Sequence, residues 1–190
     1  PEQIAAAAGT TMEEVRALNH EAMCLEVMIR GAVPCARELD ARVGLSGIIG
    51  AGGALGTALA TAVMRAFPFG LPKVMISTLA SGMTRPFVGT KDIVMFNSIC
   101  DVLGLNSRLR RVFENAALAI SGMAHGYRPF APSGKPLVLI STLSVTEKCC
   151  DAVRQAMEYR GCEVMVFHTS GTGGITMDEI VREQEVSVVI

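Results

Sequence analysis

The segment Ser46–Ala66 limits the fold of this chain more than any other. A short apolar run, Leu45–Ile49, enters a cluster containing Gly50, Gly52, Gly53 and Gly56. The cluster opens into the alanine-rich stretch Thr57–Phe67. Strand, glycine turn and helix in that order form a building unit of α/β proteins. The helix start presents N–H groups without intrahelical acceptors and the positive end of the helix dipole. Glycine carries no Cβ, so a ligand can approach the backbone closely. The segment is therefore a candidate anion cradle. It does not meet the dinucleotide fingerprint, because Leu55 stands where the third glycine belongs. It also lacks the Lys of a phosphoryl-transfer loop. The competing reading is that the glycines serve only close packing of helix on strand.

The rest of the chain repeats this pattern. Thr11–Ala41 reads as a helix that Pro34 kinks or divides, opened by a capping box of Thr11 and Glu14. Lys73–Thr78 and Asp92–Phe96 read as strands. Between them lies a polar loop, Ala80–Lys91, with Ser81, Gly82 and Thr90. Asn106 or Ser107 caps a helix that runs to about Met123. Gly126–Lys135 carries two prolines and two glycines and marks a break, with the linker placed at residues 129–135. After it come a strand at Leu137–Ser141, a helix opened by Ser144 and Glu147 and running to Tyr159, and a strand at Cys162–Phe167. A helix at Ile175–Gln184 and a strand at Val186–Ile190 close the chain. The expected fold class is α/β, with two doubly wound subdomains at 1–128 and 136–190, mostly parallel sheets, and a cleft between them. Both subdomains are expected to be incomplete, as parts of a longer protein.

A second glycine loop, His168–Gly174, follows the strand at Cys162–Phe167. Its hydroxyls and consecutive small residues suit a backbone nest for an anion, or else a tight turn with an N-cap. Ligands of open α/β sheets bind beyond the carboxyl ends of the strands, where both loops belong. The candidate binding set is Gly52, Gly53, Gly56 and Thr57 as phosphate cradle, and Ser81, Gly82, Thr90 and Asp92 as lining. His168, Thr172, Gly173 and Gly174 come from the second unit. His168 can touch a phosphate, act as acid or base, or make a structural hydrogen bond. Asp92 and Asp101 suit a ribose, Mg²⁺ or base role as well as a cap or salt bridge. No catalytic residue is identified, and no metal-ligand spacing exists.

Net charge of −1 and the absence of Trp argue against direct nucleic-acid binding. No apolar run approaches the roughly 20 residues of a membrane helix. Six cysteines without paired spacing suit reduced thiols in a cytoplasmic protein.

Ordered blocks of the sequence resemble a known family. They are Gly-Ile-Ile-Gly-Ala-Gly-Gly at 47–53, Pro-Lys-Val-Met-Ile-Ser-Thr-Leu-Ala-Ser-Gly at 72–82, Val-Gly-Thr-Lys-Asp-Ile at 88–93 and Val-Phe-His-Thr-Ser-Gly-Thr-Gly-Gly at 166–174. The family is the ATP-binding N-terminal region of the tomato mosaic virus resistance protein with its bacterial and fungal relatives. The resemblance implies two Rossmann-like subdomains, ATP with Mg²⁺ as ligand, a homodimer and a protein partner. This chain departs from the family pattern at Ala54-Leu55, Lys91 and Ser144–Glu147. Two further readings stay open. One is the substrate-binding part of an enzyme for a small phosphorylated or carboxylated metabolite, completed by a C-terminal barrel. The other is an interaction module whose shape the nucleotide sets.

Overall fold

Short apolar strands separated by helices pair in parallel throughout. The computed structural model describes every residue from Pro1 to Ile190, in two units, Pro1–Phe130 and Ala131–Ile190.

The first unit begins with three helices, α1 (Glu2–Ala7), α2 (Met12–Ala17) and α3 (Glu21–Val43). The Thr11–Glu14 capping box forms as the local sequence dictates: Glu14 N–H donates to the Thr11 hydroxyl, and the Glu14 carboxylate accepts from Thr11 N–H. The expected division at Pro34 is corrected, because α3 continues through that residue. The break lies earlier, at Asn19, whose φ of 45° is a left-handed conformation that Asn tolerates better than most residues. A three-stranded sheet follows, in the order β1 (Ile48–Gly52), β2 (Lys73–Ser77), β3 (Val94–Asn97). Its helices are α4 (Ala54–Arg65), the short α5 (Arg85–Val88) and α6 (Ser107–Gly126). Strand β1 sits three residues later than expected, so Gly50 and Gly52 are strand residues rather than loop.

All five residues of β2 are buried. Alternation sends Met75 to one face, where it packs with Met64 of α4. Val74 and Ile76 go to the other face, against Val112 and Ala116 of α6. The sheet is thus covered by helices on both faces. The Asn106 cap of α6 is as expected, its side chain accepting from the N–H groups of Arg108 and Leu109.

The second unit contains β4 (Leu137–Thr142), α7 (Glu147–Tyr159), β5 (Glu163–His168), α8 (Gly173–Glu183) and β6 (Val188–Val189). The strand order is β5-β4-β6, all parallel. The chain therefore leaves the central strand β4 in one direction and returns across it in the other. Crossovers of one hand going in opposite directions put their helices on opposite faces. Accordingly, α8 supplies Met177 and Ile180 to the face bearing Leu137, Leu139, Met165 and Phe167. The buried Val138 and Ile140 point the other way, and α7 packs on β4 and β5. The expected Ser144–Glu147 capping box does not form. A 3₁₀ turn, Ser144–Thr146, occupies that place, and the Thr146 hydroxyl accepts from Leu143 N–H instead. The terminal strand is shorter than the apolar run that suggested it.

Candidate functional site

Each sheet carries its glycine loop at the carboxyl ends of its strands. In the first unit Gly52 ends β1 and Gly53 is the N-cap of α4. Gly52 is a packing glycine, since a Cβ there would stand 2.9 Å from Gly56 Cα. Gly53 is different. Its added Cβ would meet only the Thr78 hydroxyl, at 3.9 Å, so the space in front of the helix start is open. The amides of Ala54, Leu55 and Gly56 are the first of α4 and have no intrahelical acceptor. No acidic side chain stands in that first turn. An anion would meet donors and no repulsion. Ser81 and Gly82 form the exposed turn after β2, on the same edge of the sheet, with Gly82 N–H donating to Leu79 O.

Three residues of the predicted set fall elsewhere. Thr57 is fully buried, and its hydroxyl pairs with Ser77 Oγ at 2.7 Å. It ties helix to strand and offers no hydroxyl to a ligand. Asp92 lies before β3, at the amino ends of the strands, which is the edge opposite the glycine loop. Its carboxylate accepts from Lys73 Nζ at 2.9 Å and from Gly70 N–H at 2.8 Å. Thr90 lies in the same α5–β3 connection, two residues before it. A residue that precedes a strand belongs to the amino edge, so the lining role given to Thr90 and Asp92 does not hold.

Lys73 explains why Asp92 is there. Its side chain is fully buried as the first residue of β2. A buried ammonium is tolerated only when its donors are satisfied. Nζ donates to Pro68 O, Leu71 O and the Asp92 carboxylate, each within 2.9 Å, which uses all three N–H bonds.

At the carboxyl edge of the same sheet, Ile99 has φ 68°. For a β-branched residue this is a strained backbone. Asn97 holds it, accepting from Ile99 N–H through its side chain.

In the second unit His168 ends β5, and Nδ1 accepts from Ser170 N–H. That fixes Nδ1 as the acceptor, which also receives the Ser170 hydroxyl at 2.7 Å. Nε2 is then the ring nitrogen available to a ligand. Gly171 has φ 88°, where a side chain would be strained. Gly173 lies so close under the His168 carbonyl that any Cβ would overlap its oxygen. Around Gly174 there is open space. Thr172 is the N-cap of α8 without using its side chain, and the first turn of α8 contains no acid.

The structure adds a cavity of about 400 Å³ in the second unit, which sequence reasoning missed. Thr142, Leu143 and Ser144 border it beyond the end of β4, with Glu147 and Cys150 from α7 and Val166 from β5. Asp151, Arg154 and His168 complete its lining. Arg154 bonds Asp151 through Nε and Nη2, and Glu158 through Nη1 at 2.6 Å. The Arg154 hydrogen bonds hold the Asp151 carboxyl below its ordinary range, and Asp151 in turn raises Arg154. The Ser-x-x-Glu spacing was the available signal, but it reads equally as a helix cap. The position lies beyond the carboxyl ends of the paired strands β4 and β5, where α7 packs against both.

No helix of the chain is long and apolar enough to cross a membrane. All six cysteines are free thiols.

Comparison with known proteins follows the same division of the chain. Residues 1–129 match the N-terminal domain of an uncharacterised protein family, UPF0261, and residues 135–190 match its C-terminal domain. A UPF0261 protein of Clostridium tetani is 39% identical over 180 residues, covering 95% of this chain and 45% of the relative. One from Mesorhizobium japonicum is 43% identical over 158 residues, covering 83% of this chain and 39% of the relative. The ToMV resistance protein Tm-1 of Solanum lycopersicum is 40% identical over 143 residues, or 73% of this chain and 19% of that protein. The chain thus spans less than half the length of these relatives.

Proposed function

This chain belongs to the UPF0261 family, and from that premise we propose that it is a nucleotide-binding α/β protein, with ATP and Mg²⁺ as its ligand. The observation that carries the reading is the start of α4. Three successive amides, an open approach at Gly53 and a first turn free of acid make a site suited to phosphate. The acid-free start of α8, with open space at Gly174, offers a second such site. Gly52 and Gly173 act by permitting the close approach of helix to strand. Mg²⁺ would be held chiefly through the phosphates, as is usual for this ion. Self-association as a homodimer and control of a protein partner by nucleotide occupancy extend the same reading. The resistance-protein name of the tomato relative is consistent with such a partner.

Gly53→Asp tests the site without harming the fold. Gly53 has φ −77°, compatible with any residue, and Asp is a favourable N-cap. The new carboxylate would fill the donors that phosphate needs. Calorimetry with MgATP should show at least a tenfold loss of affinity, while thermal stability stays level or rises. Absence of binding by the unaltered protein at millimolar MgATP would overturn the proposal. So would equal affinity in the variant.

A further inference from the structure

The cavity beside α7 has an electrostatic character opposite to that of the α4 and α8 starts. Glu147 occupies the first turn of α7, where an anion would otherwise sit. Asp151 follows one turn later. The only cation in the lining, Arg154, is already paired with Asp151 and Glu158. The surroundings therefore hold a surplus of carboxylate, which disfavours phosphate. They do not disfavour hydroxyl groups. Glu147, Ser144 and His168 line the cavity, and the Glu147 carboxylate, the Ser144 hydroxyl and His168 Nε2 make no hydrogen bond to the rest of the chain. Leu143, Cys150 and Val166 supply the apolar part of the wall. The volume, about 400 Å³, lies at the small end of the range for drug-sized ligands.

We propose that this cavity is a nucleoside subsite, taking sugar and base and excluding phosphate. The inference rests on the nucleotide reading above and concerns the second unit alone, as the nucleoside part of a ligand whose phosphates meet the start of α8. Glu147 and His168 Nε2 hydrogen-bond the sugar hydroxyls, as a carboxylate beyond a strand end does for ribose in other α/β folds. The base lies against Leu143 and Val166. Of the second glycine loop only His168 reaches this cavity.

The test is calorimetry on the full chain with three probes: adenosine, MgATP and inorganic tripolyphosphate. The variants are Glu147→Lys and Val166→Trp. Both positions are exposed, so each variant should fold, which circular dichroism verifies. Adenosine should bind the unaltered protein, and each variant should weaken it at least tenfold. Tripolyphosphate should bind Val166→Trp as well as it binds the unaltered protein. Unchanged adenosine affinity in both variants would overturn the inference. So would loss of tripolyphosphate binding in Val166→Trp, because phosphate would then occupy the cavity. If MgATP and tripolyphosphate bind but adenosine does not, the subsite is refuted while the phosphate site stands. If none of the three binds, both fail together.

Discussion

Replacing Asp92 separates a structural carboxylate from a ligand-binding one. In Asp92→Ala the Lys73 ammonium stays fully buried but keeps only two acceptors, Pro68 O and Leu71 O. Gly70 N–H loses its acceptor as well. Removing one partner of a buried ion pair costs about 3–5 kcal/mol, because the remaining charge is uncompensated. The Asp92 side chain is 31% exposed, so water can replace part of what is lost. The lower end, about 3 kcal/mol, is the expected cost. With a urea dependence of about 1–3 kcal/mol per molar, the unfolding midpoint of the first unit should fall by about 1–3 M. Circular dichroism against urea reads this directly, and hydrogen exchange at the β2 amides assigns it to that sheet. Asp92→Asn, which keeps an acceptor oxygen but no charge, should fall between. Adding Lys73→Met to Asp92→Ala should recover part of the loss, since no buried charge then remains. MgATP affinity of the folded protein should not change. A midpoint shift below about 0.3 M, together with lost nucleotide affinity, would refute the reasoning and return Asp92 to the binding site.

Two other perturbations follow from the geometry of the second unit. Gly173→Ala drives a Cβ into the His168 carbonyl; α8 must shift, at a cost of about 1–3 kcal/mol, measurable as faster hydrogen exchange in α8. Acid should also loosen α7. Hydrogen bonds from Arg154 lower the folded-state Asp151 pKa. That stabilisation is present above the ordinary Asp range near pH 4 and is lost as pH falls through the lower folded value. Helicity followed from pH 5 to pH 2 should decline, and Asp151→Asn should show a smaller pH dependence.

What the sequence by itself determined is whatever depends on neighbours along the chain. The Thr11–Glu14 box and the Asn106 cap form because their partners lie within three residues. Apolar runs between amphipathic stretches imply parallel strands under helices, and both sheets follow that rule. The glycine loops at 50–56 and 168–174 could be found for the same reason, as each is contiguous. Tertiary structure decided which groups face which. Asp92 and Ser81 are both polar residues near β2 in sequence, yet they lie at opposite edges of the sheet. Thr57 looks like a loop hydroxyl until Ser77, 20 residues away, takes it inwards. The cavity beside α7 needs β5 paired with β4 and α7 packed over both, a pairing that local periodicity does not encode. Pairing and burial are settled by contacts between distant residues, and for that reason the glycine loops were legible while the cavity beside α7 was not.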